Sequence, residues 1–312
     1  MRPRRILITG ASGLLGINLT LETAKRHHVF GLVGKHPVQT DAFQVIQADL
    51  LAPGSVKRIL EDIQPDWVIH CAALANVDAC EAEPARAYQL NSELPAKLAK
   101  YVARGGARLI HISTDAVFDG QRGAYREEDL PNPLSTYAKT KLDGEFAVAK
   151  ANPKAIIARV NLFGWSISGG RSLAEFFYTN LNAGKKVKGF TDVFFCPLLA
   201  NDLADIFLKM LELNLRGLFH VVSSDCVSKY NFGLQIARKF GFDENLIEPI
   251  SVKSAGLIAV RSPKLTLCTE KLERALGKPL PKLSTGLNHF YTLFQQNYPQ
   301  KLKEMGNPAT RR

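Results

Sequence analysis

The chain has 312 residues, of which 46% are hydrophobic and 22% charged, and its formal net charge is +11. This length supports one large domain or two small ones, and the composition is that of an ordinary soluble globular protein. No apolar run approaches the roughly 20 residues of a membrane span, and the basic start leads into a strand rather than a signal peptide. We therefore expect a cytoplasmic protein with no membrane association.

The excess of positive charge does not by itself identify a partner. Basic residues are spread along the chain and are enriched only at its two ends, where no aromatic residues are interleaved with them. Nucleic-acid binding is therefore the least favoured interpretation. Anionic small-molecule substrates account for the charge about as well.

The cysteines and histidines show none of the spacings of a metal site. No CxxC or HxxxH pair occurs, so we predict no bound metal. The cysteines are scattered and odd in number, and we expect reduced thiols, mostly in the core. They are Cys71, Cys80, Cys196, Cys226 and Cys268.

The chain opens with an apolar strand that runs into a turn with three glycines and then into a helix. The strand begins at Ile6, the glycines follow a TGxxGxxG pattern, and helical spacing extends from Leu14 to Lys25. Gly10 permits the tight exit from the strand, Gly13 lets a diphosphate approach the backbone, and Gly16 allows close helix packing. Free N–H groups at the positive end of the helix dipole would hold the diphosphate, although an ordinary glycine loop is the alternative. The predicted cofactor-binding residues here are Thr9, Gly10, Ser12, Gly13, Leu14, Leu15 and Gly16.

The residues after the second predicted strand bear on which dinucleotide is bound. This strand covers His28 to Val33, and no acidic residue follows it to hold the ribose 2′-hydroxyl of NAD. Lys35 with His36 would instead meet a 2′-phosphate, so NADP(H) is the preferred cofactor and NAD(H) the alternative. The competing interpretation is that Lys35 is a solvated loop lysine.

Two further strand ends carry residues suited to the cofactor site. Val45 to Ala48 is the predicted third strand, followed by Asp49 and Leu50 where an adenine amino group would be held. Asp49 equally suits the N-cap of the next helix. Trp67 to His70 is the predicted fourth strand, and small residues after it let the chain pass close under a cofactor, as a tight core turn would also require. These small residues are Cys71, Ala72 and Ala73.

Polar side chains reach the carboxyl edge of the sheet at the fifth predicted strand. A helix is predicted over Pro84 to Arg104, with Asn91 inside it, and Gly105 stops it. Arg108 to Ser113 is then a strand, and Ser113-Thr114-Asp115 marks its end. Open α/β sheets bind ligands at this edge.

The rest of the chain completes the sheet and adds a smaller unit. The predicted elements are a helix over Ser135 to Lys150, a strand over Ile156 to Val160, helices over Leu173 to Asn182 and Asp202 to Leu213, a strand over Leu218 to Val222, and short helices over Lys229 to Phe240 and Thr269 to Leu276. The fold class is therefore α/β, a doubly wound parallel sheet (Rossmann fold) with a smaller C-terminal α/β substrate-binding cap. The dinucleotide-binding domain is predicted over residues 1–160 and about 190–222, and the cap over about 161–189 and 223–312.

A tyrosine and a lysine lie one turn apart on the predicted helix that begins at Ser135. Tyr137 and Lys141 are at i and i+4 and share a helix face. Moving a tyrosine pKa from ~10 to ~7 requires about 4 kcal/mol of preferential phenolate stabilisation, which the charge of Lys141 would supply. Lys141 would also hydrogen-bond the nicotinamide ribose, and Thr114 would hold a carbonyl oxygen against the Tyr137 hydroxyl. These residues predict hydride transfer to a carbonyl with Tyr137 as general acid, although a packed tyrosine beside a solvated lysine gives the same spacing by chance.

These motifs resemble a known enzyme superfamily. The turn from Thr9 to Gly16, with Tyr137 and Lys141, is similar to that of the extended short-chain dehydrogenase/reductases. Two longer segments, Ser113 to Gly120 and Pro133 to Glu145, resemble the dTDP-4-dehydrorhamnose reductase family more narrowly. The similarity covers nearly the whole chain.

The resemblance implies a reaction and a catalytic set. The reaction is NADPH-dependent reduction of the 4-keto group of a nucleotide-linked deoxysugar, as in dTDP-rhamnose and polysaccharide biosynthesis. The catalytic set is Thr114, Tyr137 and Lys141, and the resemblance adds Asn91 to Tyr137 and Lys141 in binding the cofactor.

The resemblance also implies where the nucleotide-sugar substrate binds. It assigns substrate binding to the C-terminal cap, and a basic cap suits a diphosphate-bearing substrate. Asp115 and Arg261 are the candidate contacts, with a structural ion pair as the alternative for Arg261. Ala116 stands where the family usually has tyrosine, which leaves the identity of the sugar open.

Other functions within the same fold remain alternatives. The regulatory beta subunit of methionine adenosyltransferase carries a similar tyrosine–lysine motif and a loop like Tyr125 to Asp129, so a non-catalytic NADP-binding subunit is the runner-up. An epimerase or dehydratase with tightly bound NAD is a third alternative. The missing acidic residue after the second strand, and the lack of an acidic pair beside Thr114, argue against it. The oligomeric state stays open, with a homodimer among the expectations.

Overall fold

A seven-stranded, wholly parallel sheet forms the centre of the computed structural model, which describes residues 2–254 and 262–306. The strands are β1 (Arg5–Thr9), β2 (His28–Val33), β3 (Gln44–Gln47), β4 (Trp67–His70), β5 (Arg108–Thr114), β6 (Ile156–Val160) and β7 (Gly217–Val221). They lie in the order β3-β2-β1-β4-β5-β6-β7. This order confirms the predicted doubly wound Rossmann fold.

Helices cover the sheet, and their bounds agree with the predicted ones to within one or two residues where a helix was predicted as one piece. The helices are α1 (Leu14–Ala24), α2 (Ser55–Ile63), α3 (Val77–Ala82), α4 (Pro84–Tyr88), α5 (Leu94–Gly105), α6 (Thr136–Ala151), α7 (Leu173–Asn182), α8 (Asp202–Glu212), α9 (Lys229–Phe240), α10 (Glu270–Leu276), α11 (Leu283–Gln295) and α12 (Tyr298–Gly306). No sequence pattern predicts α3. The alternation of strands and helices weakens after Val222, so α11 and α12 are not predicted either.

Short strand pairs surround the carboxyl edge of the main sheet. Leu162–Phe163 pairs with Leu198–Leu199, and Val187–Phe190 pairs with Ile247–Ile250, both in parallel. A third group joins Phe194–Phe195 to two further strands, which are Val227–Ser228 and Lys264–Leu265. Through these pairs, the C-terminal part of the chain lies over the carboxyl edge of the main sheet.

The sheet interior explains why these segments become strands. Every residue of β4 and β6 is buried, as expected for parallel strands that are covered on both faces. The strand order reverses between β1 and β4, which opens a crevice at the carboxyl ends of the strands. That crevice is the place where this class of sheet binds ligands.

One apolar cluster joins the two regions that the sequence divides into domains. Ile6 of β1, Phe207 of α8 and Phe290 of α11 belong to it and are all fully buried. The division into a dinucleotide-binding domain and a cap therefore stays a prediction.

The helix predicted over Pro84 to Arg104 is interrupted by a π-helical turn, Gln89–Glu93, between α4 and α5. Asn91 lies in this turn, and its backbone carbonyl packs directly on α6, where a Cβ at Gly144 would lie 2.1 Å from the Asn91 oxygen. The wider turn is therefore accommodated because residue 144 has no side chain. Single π-turns within α-helices are frequent at functional sites.

The expectation of five reduced cysteines is wrong for one pair. Cys196 and Cys226 form a disulfide, whereas Cys71, Cys80 and Cys268 are free. The antiparallel register that sets Phe195 opposite Val227 brings the two adjoining cysteines together. Pairing across 30 residues depends on this register, which the scattered spacing does not reveal.

None of the described helices is long and apolar enough to cross a membrane.

Candidate functional site

The glycine turn after β1 has the geometry that its spacing predicts. Gly10 has a φ of +69°, and a Cβ there would lie 2.8 Å from the Ala72 nitrogen. A Cβ at Gly16 would lie 2.1 Å from the Gly10 oxygen, so only glycine lets α1 pack this close. Gly13 is the N-cap of α1, and no side chain caps the helix there. The uncapped N-terminus of α1 therefore fits the diphosphate of a dinucleotide.

Two predicted cofactor residues lie behind the cleft instead of lining it. The Thr9 hydroxyl is hydrogen-bonded to His70 Nδ1 at 2.7 Å and accepts the Ala72 N–H at 3.2 Å. The Asn91 amide accepts the Leu74 N–H at 2.9 Å and donates to the Leu74 carbonyl at 3.1 Å. Both side chains are fully buried. They fix the segment after β4, so any effect on a cofactor is exerted through that segment.

The outer part of the cleft, about 640 Å³ in volume, lies between the ends of β2, β3 and β4. Five of the predicted cofactor residues line it, namely Gly10, Lys35, Asp49, Leu50 and Ala72. Asp49 does not cap α2, whose N-cap is Gly54, and accepts the Leu51 N–H at 2.9 Å instead. Arg86 on α4 also lines this cavity and was not predicted.

The inner part of the cleft, about 390 Å³, shares Gly10 with the outer part. It joins the glycine turn and small residues after β4 to the predicted catalytic residues. The predicted residues that line it are Gly10, Gly13, Leu14, Leu15, Gly16, Cys71, Ala73, Thr114, Asp115, Tyr137 and Lys141. The two cavities together make an extended groove along the carboxyl edge, which suits an extended dinucleotide. Ser12 lies in the turn itself and is half-buried.

The catalytic candidates meet where β5 ends and α6 begins. The Ser135 side chain caps α6 by accepting the Ala138 N–H at 3.2 Å, which sets Tyr137 in the first turn. The Tyr137 hydroxyl lies beside the Thr114 hydroxyl at the end of β5. Lys141, only 3% exposed, lies one turn further along and donates to the Ile112 carbonyl at 2.5 Å.

The expected lowering of the Tyr137 pKa by Lys141 is not observed. Burial raises the pKa of Tyr137 to about 12, and the nearby Asp115 carboxylate adds to that shift, while the neighbouring Thr114 hydroxyl opposes it. The Lys141 ammonium is directed to the Ile112 carbonyl instead of the phenol. Burial lowers the pKa of Lys141 to about 8. Tyr137 is thus held as a protonated phenol, the form that a proton donor needs.

A small cavity of about 130 Å³ adjoins the inner cleft at Tyr137 and Asn161, which line both. Asp115 lines the inner cleft and accepts hydrogen bonds from Asn161 Nδ2 at 2.6 Å and from Thr114 Oγ1 at 3.1 Å. Burial raises the pKa of Asp115 to about 6. The same small cavity is lined by Ala116, where a tyrosine would fill much of it. Arg261, the other predicted substrate contact, lies outside the described residues.

A buried ion pair supports this site, and sequence reasoning missed it. Arg159 on β6 donates to Glu145 on α6, with distances of 2.9 Å from Nε and 2.7 Å from Nη2. Ser113 Oγ donates to the same carboxylate at 2.5 Å. An arginine within the otherwise apolar strand Ile156–Val160 was a usable signal, because a buried charge requires a partner.

The geometry is matched by similarity to known proteins over most of the chain. The family model of the RmlD substrate binding domain matches residues 4–296. The probable low-salt glycan biosynthesis reductase Agl14 of Haloferax volcanii is 33% identical over 287 residues, covering 90% of this chain and 95% of that protein. The methionine adenosyltransferase 2 subunit beta of Pongo abelii is 35% identical over 289 residues, covering 89% and 84% respectively.

Solved structures give the same family. A dTDP-4-dehydrorhamnose reductase from Clostridium acetobutylicum superposes with a TM-score of 0.81 at 30% identity, covering 93% of this chain and 99% of that one. The Bacillus anthracis dTDP-4-dehydrorhamnose reductase, solved in complex with NADP, has a TM-score of 0.81 at 26% identity, with the same coverage. This chain belongs to the RmlD substrate binding domain family of the extended short-chain dehydrogenase/reductases, a superfamily of NAD(P)-dependent oxidoreductases.

Proposed function

We propose that this protein is an NADPH-dependent reductase of the 4-keto group of a nucleotide-linked deoxysugar, similar to dTDP-4-dehydrorhamnose reductase. The observation that carries this proposal is that Thr114, Tyr137 and Lys141 line the same cleft as the glycine turn. Similarity to reductases of this kind, one of them solved with NADP, supports both the reaction and the cofactor.

The chain's own residues have distinct parts in this reaction. The dinucleotide, when bound, supplies a hydride to the carbonyl carbon. Thr114 holds the carbonyl oxygen against Tyr137, whose phenol donates the proton that the developing alkoxide takes up. Lys141, anchored on the Ile112 carbonyl, places positive charge beside the reacting groups.

The substrate is proposed to enter through the small cavity beside Tyr137. Ala116 and Asn161 line this cavity together with Tyr137, and Asp115 is hydrogen-bonded to Asn161, so the sugar ring would meet the phenol beside these residues. The domain division predicted above assigns the nucleotide part of the substrate to the C-terminal region. A homodimer stays a prediction, to be tested by light scattering.

The decisive experiment is NADPH oxidation with dTDP-4-keto-6-deoxymannose generated in situ, with NADH run in parallel. Rapid turnover with NADPH supports the proposed reductase. Absence of turnover, with NADPH binding shown by calorimetry, contradicts it for this sugar.

A regulatory role is the second candidate, because one relative at 35% identity is the beta subunit of a methionine adenosyltransferase. In that case the protein would bind NADP and a catalytic partner without reducing a sugar. Co-purification with an adenosyltransferase, together with no keto-sugar turnover, would favour this role over the reductase.

Replacing Lys35 by alanine should weaken NADPH binding roughly five- to tenfold and leave NADH binding unchanged. Lys35 lines the outer cavity and carries a positive charge that only the 2′-phosphate of NADPH would meet. Calorimetric titration with both dinucleotides measures the difference. Lys97→Ala, an exposed site on α5 away from the cleft, is the matched control. An equal loss for NADH would contradict the assignment.

The rate of reduction should fall as the pH drops below about 6. Burial raises the pKa of Asp115 to about 6, so below that pH the carboxylate is protonated and loses the charge that attracts Thr114 and Asn161. The acidic limb of the kcat/KM profile should therefore lie near pH 6. This acidic limb should be absent from the profile of Asp115→Asn, because an amide does not titrate. An unchanged acidic limb in that variant would assign the limb to another group.

A further inference from the structure

The segment between β6 and α7 forms a loop that one buried carboxylate holds closed. Glu175, 1% exposed, accepts the N–H groups of Ser166, Arg171 and Ser172 at 2.6, 2.9 and 3.1 Å. Ser172 Oγ donates to the Gly164 carbonyl at 2.7 Å and closes the loop at its base. The backbone of Arg171 is thus fixed by a hydrogen bond of its own.

This loop is also fastened to the helix of the glycine turn. Asn18 on α1 is fully buried, and its Nδ2 donates to the Trp165 carbonyl at 2.8 Å and to the Leu14 carbonyl at 2.7 Å. Trp165 Nε1 in turn donates to the Phe290 carbonyl at 3.1 Å. The loop therefore keeps a set position across the N-terminal end of α1.

Arg171 lines the inner cleft together with Gly13, Leu14 and Leu15. Within the described part of the chain, no side chain or carbonyl bonds to its guanidinium, and the residue is exposed. The other cation of this cleft, Lys141, is buried and donates to Ile112. The cleft thus has an exposed, positively charged residue in the same lining as the N-terminus of a helix, which already favours anions.

We propose that Arg171 binds a diphosphate in this cleft, opposite the N-terminus of α1, and that the diphosphate is that of the dinucleotide. The guanidinium fork suits the paired oxygens of a phosphate, and a fixed loop reduces the ordering that binding requires. The nucleotide-sugar substrate also carries a diphosphate and is the other source of this chemistry. The inference rests on the proposed use of a dinucleotide and concerns binding, which is measured separately from turnover.

The test is calorimetric titration of Arg171→Gln with NADPH, NADH and adenosine 2′-monophosphate. We expect the Kd of both dinucleotides to rise about tenfold to a hundredfold, since each carries a diphosphate and a charge-assisted bond contributes that much. Adenosine 2′-monophosphate has no diphosphate and should bind unchanged. Arg171→Lys keeps a positive charge without the guanidinium fork and should recover part of the affinity. Arg104→Gln is the control for net charge, because Arg104 is exposed at the end of α5 and lies outside the cleft.

A second arm identifies the source of the diphosphate. dTDP is titrated into protein saturated with NADP+, and the wild type is compared with Arg171→Gln. Weaker dinucleotide binding with unchanged dTDP binding supports the proposal, whereas weaker dTDP binding alone reassigns Arg171 to the substrate and overturns the dinucleotide assignment. Unchanged affinity in both arms overturns the diphosphate role altogether. Thermal unfolding of each variant checks that the loop is intact, and absence of keto-sugar turnover would leave these binding results standing.

Discussion

Tyr137→Phe should lower the rate of carbonyl reduction by two to four orders of magnitude and leave the Kd of NADPH within about twofold of the wild-type value. The variant removes one hydroxyl, the group beside Thr114 that we propose as the proton donor to the carbonyl oxygen, and a positioned proton donor contributes a factor of this size. The ring stays, so the wall that it gives to both cavities is preserved. Single-turnover kinetics with calorimetry on the same preparation separate the two effects.

Two further variants serve as comparisons for the Tyr137→Phe result. Lys141→Ala should weaken both NADPH binding and turnover, because Lys141 lines the cleft and is proposed to serve the ribose as well as the reacting groups. Tyr291→Phe removes a hydroxyl from α11, outside the cleft, and should change neither. If Tyr137→Phe kept most of its activity, the general acid would have to be another group, and Asp115 would be the first to examine.

The parts of the site that could be predicted are those that depend only on residues close together in the sequence. The glycine spacing, the small residues after β4 and the pair formed by Tyr137 and Lys141 each depend on one turn or one helical period. Parallel strands then bring their carboxyl ends to one edge of the sheet, regardless of the conformation of the connecting loops. This local information was enough for the fold and for most of the lining of the cleft.

The parts that could not be predicted depend on contacts between distant segments. Arg171 reaches the cleft only because Glu175 folds its loop and Asn18 ties that loop to α1. The disulfide of Cys196 follows from strand register. The glycine-turn pattern assigns Thr9 to the cofactor and the family resemblance assigns Asn91 to it, although the polar atoms of both are bonded to the segment after β4. Residue type and spacing do not distinguish a side chain that lines a cleft from one that supports its wall.

The pKa of Tyr137 is another property that residue spacing alone does not predict. The spacing of Tyr137 and Lys141 predicts a phenolate stabilised by the ammonium, but the balance is decided by burial, which raises the pKa of Tyr137 to about 12. The direction of the Lys141 side chain depends on the Ile112 carbonyl of another strand. Electrostatic roles of this kind require the three-dimensional arrangement, because desolvation and competing partners are set by it.

Glu145→Gln should lower the free energy of unfolding by about 3–5 kcal/mol, because it leaves the Arg159 guanidinium buried without a counter-charge. Arg159 is 2% exposed and Glu145 4%, so water does not replace the lost partner. Chemical denaturation should show a lower midpoint with an unchanged slope. The exposed pair of Arg238 with Glu244 offers the control, and Glu244→Gln should leave the denaturation midpoint nearly unchanged.

The double variant Glu145→Leu with Arg159→Met separates the ion pair's contribution to stability from its contribution to the site. Two apolar side chains need no partners, so most of the lost stability should return. Activity should not return, because Glu145 lies one turn beyond Lys141 on α6 and also holds Ser113, the neighbour of Thr114. Without that carboxylate, α6 and the end of β5 lose the bond that sets Tyr137 against Thr114. Reduction should stay at least tenfold below wild type in kcat, and full recovery of both properties would show that the pair serves stability alone.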